Sequence, residues 1–149
     1  MKAAKENGCR AVLRATYVDS TANMVATVAV VVLPEGTAEG AARTNVYEAY
    51  QDHLFDDGVV APYAVPGTLA AGWKHRNGAD LAPVGGEHMP YVVAASVGSV
   101  DGYVAGGLPG EWGDGNGDNI DRGAWRANAE DLVTLFRAHM DRLQRGESR

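Results

Sequence analysis

The chain has 149 residues, of which 46% are hydrophobic and 21% charged, and its net charge at pH 7 is -6. This length suits one domain with a sizeable core, so we expect a single α+β domain over 1–149, with frayed tails at 1–7 and 146–149. The negative charge argues against a nucleic-acid partner, because phosphates require a basic surface. The single cysteine, Cys9, excludes an internal disulfide.

Two runs rich in β-branched residues predict a long hairpin near the start. Strands over 10–18 and 24–33 flank the turn-forming residues 19–23. The second run is apolar on both faces, which is typical of a strand buried on both sides. With the turn placed over five residues, the predicted register sets Arg14 opposite Val28.

The middle of the chain alternates between helical and strand patterns. Residues 35–54 carry apolar side chains at helical spacing and predict a helix. Short strands are predicted over 59–65, 91–97 and 103–105. Glycine and proline punctuate 76–89, which we interpret as a loop.

The clearest helical signal lies near the end of the chain, over 119–144. Its apolar residues recur every three or four positions, namely Trp125, Ala129, Leu132, Phe136, Met140 and Leu143. Meandering strands with two long helices predict an α+β fold. We expect a mostly antiparallel sheet of four or five strands, with both long helices packed on one face.

One acidic segment has a spacing that suggests a metal site. Asp114, Asn116 and Asp118 match the first three alternating oxygen ligands of a calcium loop. The sixth loop position is Asn119 instead of glycine, and the twelfth is Trp125 instead of a bidentate glutamate. We therefore favour a local turn of Gly, Asn and Asp residues, with calcium binding as the alternative.

Four side chains on predicted irregular segments are candidates for ligand or partner binding: Trp73, His75, His88 and Trp112. Aromatic residues beside polar loops frequently line such sites. We favour the interpretation that each tryptophan packs beneath its own loop as a small satellite of the core, with ligand or partner binding as the alternative. No arrangement typical of nucleophilic or acid–base catalysis is present in the sequence, so we predict no catalytic residues and no cofactor.

Residues 8–34 and 90–98 resemble the extracytoplasmic domains of uncharacterised actinobacterial membrane-anchored proteins. The similar segments are Gly8 to Asp19, Met24 to Pro34 and Pro90 to Gly98. In that family the domain follows one N-terminal membrane helix and faces outward. The resemblance implies an extracytoplasmic domain, anchored only through a helix that this sequence does not contain, and it implies no activity and no site residues. A cytoplasmic location is the alternative.

Three functions are compatible with these patterns. The first is a non-enzymatic extracytoplasmic sensor or interaction domain, with a protein or a small molecule as its partner. The second is a small dimeric α+β enzyme or ligand-binding protein with an apolar pocket, because small residues in the strands leave room for a ligand. The third is a structural subunit of a larger assembly, since strand 24–33 is apolar on both faces. A homo-oligomer is compatible with each of them.

Overall fold

The computed structural model describes residues 2–34, 39–52, 60–85, 89–106 and 120–147. Within these ranges the helices and strands are, in chain order, α1 (Lys2–Glu6), β1 (Ala11–Val18), β2 (Met24–Val32), α2 (Glu39–Asp52), β3 (Gly78–Pro83), β4 (Tyr91–Ser99) and α3 (Ile120–Gln144). The strands form one antiparallel sheet in the order β1-β2-β4-β3. The predicted α+β class and antiparallel sheet are therefore confirmed.

The turn between β1 and β2 is closed by one carboxylate. The backbone N–H of Asp19 donates to the carbonyl of Met24. In return, the Asp19 carboxylate accepts the backbone N–H groups of Asn23 at 2.9 Å and Met24 at 2.8 Å. Ala22 adopts a positive φ of 59° inside the turn. These bonds make Asp19 part of the ladder, so the loop is one residue shorter than predicted.

The shorter loop shifts the hairpin register by one residue. Arg14 pairs with Ala29, not with Val28 as predicted. Because side chains alternate along a strand, a shift of one residue exchanges the faces of the sheet. Val12 and Arg14 consequently share a face with Ala29 and Val31, which places an arginine beside the small residues of β2.

The long helices lie on opposite faces of the sheet. Helix α2 contributes Val46 and Tyr50 to a cluster with Ala29, Ala94 and other residues of what we call the α2 face. Helix α3 packs its own buried residues against the other side, which we call the α3 face, in clusters with members Val28, Val93, Ala95, Ala129 and Val133. The prediction of two helices on one face is not confirmed. The strands β2 and β4 are apolar on both sides, so each face needs its own cover.

Strand β3 lies inside the segment predicted as a loop. It pairs with β4 from Gly78 to Pro83. A Cβ at Gly78 would lie 2.4 Å from the backbone of Trp125 in α3. This glycine therefore permits a close approach between strand and helix, and Pro83 is tolerated because β3 is an edge strand.

Two predicted short strands are absent from the described residues. Segment 60–65 lies on the α2 face and does not pair with a strand. Two threonine side chains bind its backbone: Tyr63 N–H donates to Thr27 Oγ1 at 3.0 Å, and Tyr63 C=O accepts from Thr16 Oγ1 at 2.6 Å. Residues 103–105 bind the buried Asn77 side chain instead of a neighbouring strand.

Candidate functional site

A cavity of about 380 Å³ lies on the α2 face, beneath α1 and α2. Its volume is within the range of roughly 300–1,000 Å³ that is usual for small-molecule sites. In the described part of the chain it is lined by Lys2, Ala3, Ala4, Glu6, Val12, Arg14, Thr27, Ala29, Val31, Val46, Ala49, Tyr50, Val60, Ala61, Leu81 and Ala94. Most of these side chains are apolar and small, so the space suits an apolar occupant.

The cavity exists because alanines meet where larger residues would fill the space. Ala29 of β2 and Ala94 of β4 are paired neighbours at the centre of the sheet. Ala49 of α2 also lines the cavity. Protein interiors are normally packed without voids of this size, so the short alanine side chains that line the cavity make fewer dispersion contacts than larger residues would. An occupant would restore those contacts.

Among the described residues, Tyr50 is the largest fully buried side chain, and it connects α2 to the sheet at this cavity. Its hydroxyl donates to the carbonyl of Ala79 in β3 at 2.9 Å. Burial is the main cause that raises the pKa of Tyr50 well above its ordinary value. The hydroxyl is therefore protonated at neutral pH and serves as a structural donor.

One end of the cavity is polar. Arg14 lines the cavity, and the carbon of its guanidinium group lies 4.3 Å from the centroid of the Tyr63 ring. Thr27, which also lines the cavity, has its Oγ1 3.0 Å from Thr16 Oγ1. These groups give the apolar space a directional end with hydrogen-bonding capacity.

Helix α1 adds a pair of opposite charges to the lining. Lys2 Nζ lies 3.8 Å from Glu6 Oε1, and both side chains are largely exposed to solvent. An exposed pair of this kind contributes little to stability. The two charges compensate each other, so Arg14 supplies the net positive charge among the described lining residues.

Of the residues predicted for binding, the structure describes Trp73 and His75, and neither lines this cavity. Trp73 is buried with Val25 and Ala70, and its indole N–H donates to the carbonyl of His75 at 3.0 Å. This position corresponds to the small satellite of the core that we favoured from the sequence. The His75 side chain is exposed. The other candidates, His88, Trp112, Asp114, Asn116 and Asp118, lie outside the described residues.

The side chains that form the cavity gave little signal in the sequence. Alanines within valine-rich strands suggested that the strands leave space for a ligand. The sequence did not show which alanines of β2 and β4 are cross-strand neighbours. The predicted hairpin register was wrong by one residue, so it paired Arg14 with Val28 instead of Ala29. In the described ranges there is also no group of three or more His, Cys, Asp or Glu side chains placed to hold a metal.

A second feature is an exposed apolar surface beside β1. Leu13 and Tyr17 of β1 are 65% and 49% exposed. The ring of Tyr17 lies 6.2 Å from that of Phe136, so the strand and helix parts of this surface meet. Helix α3 packs mainly over β3 and β4 and leaves this end of the α3 face uncovered.

No family model matches the chain, and neither the curated proteins nor the solved structures that were compared with it gave a match. Of the helices in the described ranges, none combines the length and the apolar character needed to cross a membrane.

Proposed function

We propose that this protein is a non-enzymatic ligand-binding domain that holds a small apolar molecule in the cavity of the α2 face. The cavity itself is the observation that carries the proposal: an apolar lining with a few polar groups at one end is the usual character of a small-molecule site. At roughly 30 Å³ for each water-sized group, the volume corresponds to about a dozen such groups. A sensor role for the domain follows from the same binding event.

The proposed location is outside the cytoplasm, with the domain anchored through an N-terminal membrane helix in the full-length protein. The resemblance of residues 8–34 and 90–98 to actinobacterial extracytoplasmic domains supports this proposal. Detection of the full-length protein in membrane fractions, with this domain sensitive to protease added to intact cells, tests it. Protection of the domain until the cells are lysed would contradict it.

The binding proposal is tested with 1-decanol, a probe of matching size, and with a variant that fills the cavity. Ala29→Leu adds a larger side chain to the cavity wall, and Ala138→Leu makes the same change on the exposed surface of α3. We expect calorimetric titration to show binding to the parent and to Ala138→Leu, and at least tenfold weaker binding to Ala29→Leu.

A parent protein that does not bind the probe would refute the proposal. Equal binding to the parent and to Ala29→Leu would refute it as well, because the probe would then lie elsewhere. Thermal unfolding serves as the control for folding, since cavity-filling substitutions often raise stability by about 0.5–2 kcal/mol.

Self-association is a second candidate function, and the exposed apolar surface beside β1 favours it. The bond from Asp19 N–H to Met24 C=O fixes the alternation along β1. The backbone groups of Val12, Arg14 and Thr16 consequently point to the open edge, where no described backbone pairs with them. Such an edge is a template for pairing with another strand.

The sequence of β1 is self-complementary in one antiparallel register. Setting Leu13 opposite Tyr17 of a second copy aligns the outward backbone groups of both strands. This register also avoids placing Arg14 directly opposite its own counterpart, which would be unfavourable. We expect Leu13→Lys to shift a dimer to a folded monomer in sedimentation, whereas Ala138→Lys does not. A parent that sediments as a monomer at 100 times the concentration of the binding assays would contradict this second candidate.

A further inference from the structure

Among the described residues, the Arg14 guanidinium has no acidic partner, and it lines an apolar cavity while remaining exposed to solvent. Its described contact is a cation–π contact, in which the guanidinium carbon lies 4.3 Å from the centroid of the Tyr63 ring. Within the described ranges no carboxylate lies in ion-pair distance of Arg14. The chain as a whole carries a net charge of -6, so partners for a surface arginine are abundant in the sequence. Among the described lining residues, Arg14 is the cation that no neighbouring carboxylate offsets, so it is placed to bind an anionic group of a ligand in the cavity.

The surroundings of Arg14 keep it in place. Pairing with Ala29 sets its side chain on the α2 face, beside the cavity. The Tyr63 ring under the guanidinium belongs to a residue whose backbone binds two threonine hydroxyls, Thr16 Oγ1 and Thr27 Oγ1. The contact with the Tyr63 ring favours one position of the exposed guanidinium beside the cavity, which lowers the cost of ordering it when a ligand binds.

We propose that the ligand is an amphipathic monocarboxylate, with its apolar chain lying over Ala29 and Ala94 on the α2 face and its carboxylate bound by Arg14. The planar guanidinium donates two parallel hydrogen bonds that match the two oxygens of a carboxylate. The other cation of the lining, Lys2, is already paired with Glu6. This inference rests on the proposed function, since it assigns a chemical class to the ligand of the same cavity.

The test compares three probes with the same ten-carbon chain: decanoate, 1-decanol and decylamine. Calorimetric titrations are made at pH 7 and low salt on the parent, Arg14→Gln and Arg10→Gln. Arg10 is the matched control, because it is an exposed arginine just before the same strand and does not line the cavity. Circular dichroism verifies that each variant is folded.

In the parent we expect decanoate to bind about tenfold or more tightly than 1-decanol, and decylamine to bind most weakly. Arg14→Gln should weaken decanoate by about tenfold and leave 1-decanol within about twofold, and Arg10→Gln should change neither.

Equal affinities of the parent for decanoate and 1-decanol would overturn the carboxylate assignment and leave the proposed binding function intact. A preference for decanoate that persists in Arg14→Gln would also overturn it, since the headgroup would then be bound elsewhere. Binding of none of the three probes would refute the proposed function together with this inference.

Discussion

Asp19 fixes the first hairpin with its side chain as well as with its backbone. The hydrogen bond from the Thr21 hydroxyl is the main cause that lowers the pKa of the Asp19 carboxyl, and the backbone N–H of Met24 adds to it. A carboxyl with a lowered pKa stabilises the fold in its ionised form. That stabilisation is present when the pH is above the pKa that Asp19 has in the unfolded chain. It is lost as the pH falls through the lower pKa that Asp19 has in the folded protein.

Asp19→Ala should therefore lower the thermal midpoint at pH 7, and the difference from the parent should shrink as the pH falls below about 4. Ser20→Ala is the control, because it changes the same loop without removing a titrating group. The measurement is thermal unfolding followed by circular dichroism between pH 7 and pH 2. A difference between the parent and Asp19→Ala that is the same at both ends of this range would contradict the role given to the carboxylate.

Tyr50→Phe removes a buried donor and leaves the carbonyl of Ala79 without it. We expect the substitution to cost about 1–2 kcal/mol in the free energy of unfolding, because an unsatisfied buried acceptor carries a desolvation penalty. Tyr47→Phe, on the exposed side of the same helix, should change the free energy by less than about 0.5 kcal/mol. Denaturant titrations of both variants measure the difference. Equal losses in the free energy of unfolding would show that the hydrogen bond from Tyr50 to Ala79 does not contribute to stability.

At the scale of elements, α3 was the easiest to predict and its stripe shows where sequence reasoning ends. Ala129 is buried, and Leu132, Phe136 and Met140 are half-buried against the sheet, as the spacing indicated. Leu143 fits the same spacing but is 56% exposed. Val133 is buried, although the stripe did not include it. Periodicity identifies a helical face, but the extent of the sheet beneath it decides which positions are covered.

Leu132→Ala and Leu143→Ala make the same change at a covered and an uncovered position of α3. Leu132→Ala should cost about 2 kcal/mol, the lower end of the range for core leucines, because the side chain is half-buried. Leu143→Ala should cost less than about 0.5 kcal/mol. Chemical denaturation of the two variants provides the comparison. A larger loss of stability for Leu143→Ala than for Leu132→Ala would contradict the assignment of Leu132 to the core and of Leu143 to the surface.

The short elements were harder because the residues that define them act through contacts distant in the sequence. Gly78 is of a residue type that is common in loops, yet it lies in β3, where its lack of a Cβ allows the strand to approach α3 closely. Segment 60–65 has the composition of a strand, but its backbone is bound by the side chains of Thr16 and Thr27 on the α2 face and does not join the sheet. Only the three-dimensional neighbours distinguish these cases, so a single sequence does not predict them.

At the scale of the whole molecule, the apolar runs of β2 and β4 predicted a core but not its cavity. Strands that are apolar on both sides require cover on both faces, and α2 and α3 provide it on one face each. The cavity depends on Ala29 and Ala94 being cross-strand neighbours, and that pairing follows from the register between two strands far apart in the chain. The sequence suggested spare room in the strands, and the register determines where it lies.

The most direct test of the proposed function is to locate a bound apolar probe by intermolecular nuclear Overhauser effects. With 1-decanol bound to the isotopically labelled parent, we expect contacts from the probe to the methyl groups of Ala29, Ala94 and Leu81, which line the cavity. Contacts only to Leu13 and Tyr17, on the exposed surface beside β1, would contradict the proposal, because the probe would then bind outside the cavity.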